Sequence, residues 1–298
     1  MHAFQGEIAA LLTAACWTVS ALSFEAAGKR IGSLAVNIIR LGIAFAFLSL
    51  YGWLTRGHFL PVDADGHNWY WLSLSGLVGF TLGDMAWFRS LVLLGARRTT
   101  LMMALAPPFT AVLGWLALGE ALTLLDGLGM GLTLLGVMLV VGERRSDENG
   151  QARHLPVMGW FLGVVAALGQ AGGLVLSKFG MGDYSPFAAT QIRVIAGFAG
   201  FAVFFTLIRW WPKVLAGLRD APALRRTTLG AFFGPFVGVS FSLMAVQLTQ
   251  AGIAATIMSI TPILIIPPTI LLYKERVSPR AIFGACLAIA GVAVLFLF

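Results

Sequence analysis

Asp84 is the one acidic residue set deep inside an apolar run, where a carboxylate must be paired, protonated or hydrogen-bonded. Three chemistries fit it: relay of a coupling proton, capture of a substrate ammonium, or an ion pair with an arginine. Arg89 lies five residues on, about 140° round the same helix, and points away. Arg40 is the better mate. The segment Leu82-Gly83-Asp84 brushes the Gly-x-Gly-Asp signature of intramembrane aspartyl proteases, but Thr81 stands where glycine is needed. That chemistry also needs two carboxylates sharing a proton, and the sequence has no second buried Asp. His2, His58, His67 and His154 lie outside the apolar runs, so they offer no buried base and no metal cluster. Cys16 and Cys286 lie inside them, which argues against a disulfide framework.

Other residues in these runs offer binding rather than bond-making. Thr13, Trp17 and Ser20 share one stripe at i, i+4 and i+7. A buried indole N–H needs an acceptor, supplied either by a polar cavity or by a backbone carbonyl between packed helices. Trp53, Trp69, Trp71, Trp160, Trp210 and Trp211 instead sit near the ends of runs, as an interfacial belt does.

The elements that must position these residues are membrane spans. Of the 298 residues, 58% are apolar and only 11% charged, with a mean hydropathy of +0.87. A soluble domain carries about a quarter charged residues. That excludes a cytosolic enzyme, a nucleic-acid-binding domain and a secreted disulfide scaffold. Apolar runs fall at 7–27, 33–55, 68–91, 98–118 and 125–142, then at 157–178, 186–211, 227–248, 253–272 and 279–297. Residues 1–7 carry no Lys or Arg, so the first run is expected to be a retained span rather than a signal peptide. The expectation is an all-α integral membrane protein of ten helices. Residues 1–145 and 157–298 form two units joined by a polar cytoplasmic linker, 146–156.

The units are copies. An offset of 153 superposes Gly6 on Gly159 and Arg40 on Arg193. An offset of 155 superposes Gly83 on Gly238, Met103 on Met258, Pro107 on Pro262 and Glu120 on Glu275. Five spans is an odd number, so the copies thread the membrane in opposite senses. Such inverted repeats typify secondary transporters, with a central cavity between the halves near mid-membrane. The clusters Lys29-Arg30, Arg97-Arg98, Arg144-Arg145 and Arg225-Arg226, with Lys274 and Arg276, follow odd-numbered spans, whereas Arg56 and Lys178 alone stand on the other side. This asymmetry puts the odd-numbered loops in the cytoplasm and both termini outside.

The repeat extends the candidate site. Gln170 is the equivalent of Trp17, and an amide at that depth faces protein or water, holding substrate or joining helices. Phe80 and Trp87 of the third span and Ser242 of the eighth are further lining candidates. Met103 and Met258 carry adaptable thioethers beside Pro107 and Pro262, whose missing N–H bends the helix and makes both candidate hinges. Glu120 and Glu275, at opposite faces, are expected to cap or pair locally.

Leu105-Ala106-Pro107 with Gly119-Glu120, Gly129 and Gly136 is one pattern. Ile260-Thr261-Pro262 with Lys274-Glu275-Arg276, Gly284 and Gly291 is its second copy. The pair resembles the EamA repeat of the drug/metabolite transporter superfamily in its ten-helix form, and looks most similar to YddG-type exporters of aromatic amino acids. Gly95-Ala96-Arg97 departs from the pattern, because members often carry a small or hydroxylated residue in place of that Arg. The resemblance implies an exporter of small metabolites in a bacterial inner membrane, with spans 1, 3, 4, 6, 8 and 9 lining the cavity. It implies no cofactor, metal or nucleic acid, and a monomer or homodimer. A drug efflux carrier and a nucleotide-sugar or sugar-phosphate exchanger are the alternatives. The exchanger wants several mid-depth cations, and only Arg40 and Arg193 qualify. A channel would want a continuous polar ring.

Overall fold

Lipid offers no partner to backbone N–H and C=O groups, so each apolar run must close its hydrogen bonds within itself. The computed structural model accordingly contains no strand among the residues it describes, which are 4–94, 99, 102–141, 157–268 and 278–297. The first two crossings are α1 (Gln5–Ile31) and α2 (Ser33–Arg56). The third joins α3 (Gly66–Gly76) to α4 (Asp84–Leu94) through a π-helical segment, Leu77–Gly83. The first half ends with α5 (Ala106–Leu118) and α6 (Leu124–Val141). The second half begins with α7 (Val157–Met181), α8 (Pro186–Leu207) and the short α9 (Trp211–Leu218). It continues with α10 (Ala221–Ala231), a second π segment (Phe232–Gly238) and α11 (Val239–Leu248). Then come α12 (Ala251–Met258), α13 (Thr261–Leu264) and α14 (Pro279–Leu297). Among the described residues, seven stretches are long and apolar enough to cross a membrane, and α5 and most of α6 are shorter apolar helices.

The packing repeats with the sequence. α1 lies along the eighth crossing (α10, the second π segment and α11), as α7 lies along the third. α1 also meets α12 as α7 meets α5, and α2 meets α10 as α8 meets α3. Where the halves meet as equals, α2 lies on α8, α5 on α12 and α6 on α14. Every one of these contacts survives exchange of the two halves, as a two-fold relation between them requires.

Four boundaries differ from the sequence reading. The seventh span stops at Leu207, and Trp211–Leu218 becomes a separate helix with Pro212 in its first turn, where a missing N–H costs nothing. The eighth starts early, at Ala221, because Asp220 caps it by accepting from the Ala223 N–H at 2.9 Å. A hydrogen bond from Arg30, together with that N–H, holds the Asp220 carboxyl below the ordinary carboxylate range and ties the end of α1 to α10. The fourth and ninth spans are broken rather than bent. Turns at 104–105 and 259–260 interrupt them, and Pro107 and Pro262 each take the second position of the helix that restarts. The linker 146–156 and Glu275 lie outside the described residues.

Helix contacts without a hydrophobic driving force rely on small residues, and the α6–α14 pair shows how tightly. A Cβ on Gly291 would fall 2.5 Å from the backbone N of Thr133, whereas one on Gly131 would meet nothing within 4 Å. Gly291→Leu is therefore expected to cost at least the 1–3 kcal/mol typical of overpacking, roughly, and Gly131→Leu to be neutral. Thermal melts of the two purified variants in detergent check the contrast.

Candidate functional site

At the face where α1 begins, four crossings are knotted by polar groups. Glu120 follows Gly119, whose φ of 68° turns the chain at the end of α5. Its Oε2 accepts from the Ala251 N–H at the start of α12 at 2.9 Å, and its carboxylate pairs with Lys178 of α7. Lys178 Nζ also donates to the Thr249 carbonyl at 2.7 Å, and Thr249 Oγ1 donates to Glu7 Oε1 of α1 at 2.9 Å. Glu120 thus caps a neighbouring helix in the other half, so its local pairing reaches across the repeat.

Inside the bundle, α1 crosses the second π segment along the stripe Thr13, Trp17, Ser20. Thr13 Oγ1 donates to the carbonyls of Ala9 (2.8 Å) and Gly238 (3.3 Å), and Ser20 Oγ to that of Gly230 (3.1 Å). Both hydroxyls are buried and spent on helix packing. The Trp17 ring lies against Gly238, where a Cβ would come 3.0 Å from its Nε1. Trp17 is half-buried, and its indole N–H has no hydrogen-bond partner among the described residues. The equivalent crossing sets Gly169 and Gly173 of α7 against Gly83 and Gly79 of the first π segment, with Gln170 beside them, also half-buried and without a hydrogen bond among the described residues. The two π segments are themselves equivalent at the offset of 155, residue for residue.

The remaining candidates divide. Met258 is buried in the apolar cluster that Trp17 packs against, and it ends α12 just before the break, while half-buried Met103 precedes the matching break. Phe80 belongs to a different cluster, between α2 and α8. Ser242 is buried, its hydroxyl donating to the Val239 carbonyl of its own helix. Trp87 makes an edge contact with Phe88 and joins neither cluster. Thus Trp17 and Met258 share one apolar cluster, and Phe80 belongs to the other.

The charged residues form a third group. Arg40 pairs with Asp84, as their depths suggest, and its guanidinium lies 5.3 Å from the centroid of the Phe24 ring. Asn37, a neighbour of Asp84, is fully buried, with its side-chain amide close to the Asp84 carboxylate. Arg193 of α8 is within electrostatic range of Asp84 without touching it, and rests over Phe80 at 4.9 Å. The sequence reading missed this gathering of Arg193 with the Asp84 pair. The signal was present, since equivalent residues on α2 and α8, which pack together, fall near the same axis.

The EamA-like transporter family matches twice, at residues 4–142 and 157–297. An uncharacterized transporter from the cobO 3′ region of Sinorhizobium sp is 30% identical over 131 residues, 44% of this chain and 92% of that one. An uncharacterized membrane protein of Saccharomyces cerevisiae is 30% identical over 114 residues, 38% of this chain but only 27% of its own length. A solved structure described only as the crystal structure of a protein superposes with a TM-score of 0.74 at 15% identity, covering 98% of this chain and 96% of that one. This last likeness concerns the fold alone.

Removing one partner of a largely buried ion pair, here with side chains 18% and 20% exposed, strands the other charge at a cost of up to about 3 kcal/mol. Asp84→Asn should therefore lower stability steeply, and Asp84→Asn with Arg40→Gln should recover most of the loss. Melting curves of the single and double variants measure it.

Proposed function

The chain belongs to the EamA-like transporter family, and on that footing we propose that it exports small amphipathic metabolites, amino acids with an aromatic preference, by alternating access. It is a multi-pass membrane transporter rather than an enzyme. The observation that carries the fuller reading is the paired interruption of its helices. The π segments Leu77–Gly83 and Phe232–Gly238, and the turns at 104–105 and 259–260, fall at equivalent places in the two halves. π segments recur at functional sites, and discontinuous helices border the substrate sites of inverted-repeat transporters.

In this reading residues 1–145 and 157–298 rock against each other across the linker 146–156, with Pro107 and Pro262 at the hinges. Trp17, Gln170, Met103 and Met258 receive the solute, and the other lining candidates (Thr13, Ser20, Phe80, Trp87, Ser242) shape its surroundings. The loop charges favour both termini outside, and the family resemblance favours a bacterial inner membrane. The Glu120–Lys178 and Thr249–Glu7 contacts then close the outer side. The Arg40–Asp84 pair is structural in the resting protein, and whether it also relays a coupling proton is separable by transport at varied pH in the Asp84→Asn variant.

Purified protein in liposomes should exchange labelled phenylalanine or tryptophan across the membrane. Trp17→Ala should weaken uptake about tenfold, the equivalent of about 1.4 kcal/mol, in protein that still folds. Exchange of nucleotide sugars or sugar phosphates in place of amino acids would hand the reading to the exchanger alternative.

A further inference from the structure

The second half of the molecule holds a buried cation whose acid is missing. In the first half Arg40 on α2 is neutralised by Asp84 of the third crossing. The repeat offsets carry Arg40 onto Arg193 of α8 but Asp84 onto Val239 of the eighth crossing. Arg193 is only 4% exposed, its Nε is enclosed without a partner, and among the described residues it makes neither an ion pair nor a hydrogen bond. Its guanidinium rests over the Phe80 ring, at 4.9 Å. An aromatic face attracts a cation without neutralising it. Arg40, Asp84 and Arg193 together therefore leave one surplus positive charge inside the bilayer, where charge is penalised.

The guanidinium also reaches a contact between the two halves. A Cβ on Gly79 would lie 3.3 Å from Arg193 Nη2 and 3.7 Å from Gly173 Cα. Nη2 thus borders the glycine seam between the first π segment and α7, the helix that carries Gln170.

We infer that Arg193 anchors the carboxylate of the transported solute at this seam. The inference rests on the transporter reading above and deepens it by naming the chemical group recognised. Guanidinium matches a carboxylate fork to fork, with two parallel N–H donors. The single positive charge on Arg193 is offset by one carboxylate. A phosphate dianion would overshoot and leave the site negative.

The test uses the full chain and three solutes with a shared aromatic ring: 3-phenylpropionate, phenethylamine and phenyl phosphate. At saturation 3-phenylpropionate should raise the melting temperature of the purified protein by several degrees, as a ligand of the folded state does, and the other two should not. Arg193→Gln should abolish that shift. Val239→Asp, which restores the acid of the first half, should also abolish it, while the unliganded protein melts at or above the parent temperature. If Arg193→Gln does not fold, the Val239→Asp result decides. A shift that persists in either variant, a shift with phenyl phosphate instead, or a Val239→Asp protein that melts well below the parent would overturn the inference. Counterflow of phenylalanine in liposomes keeps the two readings apart. Its absence in the parent protein defeats amino-acid transport, whereas a 3-phenylpropionate shift lost in Val239→Asp upholds Arg193 as a carboxylate anchor regardless.

Discussion

A hydrocarbon interior gives a polar group nothing to bond with, and the disposition of most buried polar groups among the described residues answers to that constraint. Backbone groups are closed into helices. Thr13, Ser20 and Ser75 give their hydroxyls to carbonyls of a facing helix, at Gly238, Gly230 and Gly173. Glu120 takes the unpaired N–H of Ala251, which would otherwise end a helix without a partner. Arg40 and Asp84 neutralise each other. Against this background, few buried side-chain atoms among the described residues lack a partner, and of the charged residues that carry them, Arg40, Glu120 and Arg193, Arg193 alone has no ion pair.

The same constraint accounts for the glycines at the crossings. Where α7 meets the third crossing, glycine faces glycine, Gly169 on Gly83 and Gly173 on Gly79. Where α1 meets the eighth, the bulk is all on α1, with Trp17, Ser20 and Phe24 against Gly238, Gly234 and Gly230. The backbone path is shared and the filling differs. Duplication thus keeps the mechanics symmetric while freeing the side chains of each seam to diverge, and the divergence of Asp84 from Val239 is the case with the largest electrostatic consequence. A π segment at each seam widens the helix locally and weakens its hydrogen-bond ladder. Motion between the halves would concentrate at such places.

Much of this was legible in the sequence. Hydropathy located the crossings, and the Arg, Pro and Glu pairs at fixed offsets exposed the duplication. The Arg40–Asp84 pair followed from depth and helix phase. Other features were not legible, for physical reasons. A π segment needs one extra residue per turn and leaves no mark in an apolar run, although the spacing Gly79, Gly83 and Gly234, Gly238 was a clue. Proline removes an N–H either way, so sequence could not separate a bent helix from one that stops and restarts at 104–105 and 259–260. Thr13 and Ser20 share a helical stripe with Trp17, but the stripe does not say whether a hydroxyl faces solute or a neighbour's carbonyl. Trp211–Leu218 merged with the span before it because its apolar residues continue the run.

The central claim is that the two halves move reciprocally about the glycine-lined crossings. Paired spin-label distances test it most directly, using exposed positions in opposite halves: Phe59 with Leu248 where α1 begins, and Ser33 with Leu215 at the other face. On adding a transported amino acid in liposomes, the first distance should lengthen as the second shortens. Two distances that stay fixed, or that change in the same direction, would contradict the account.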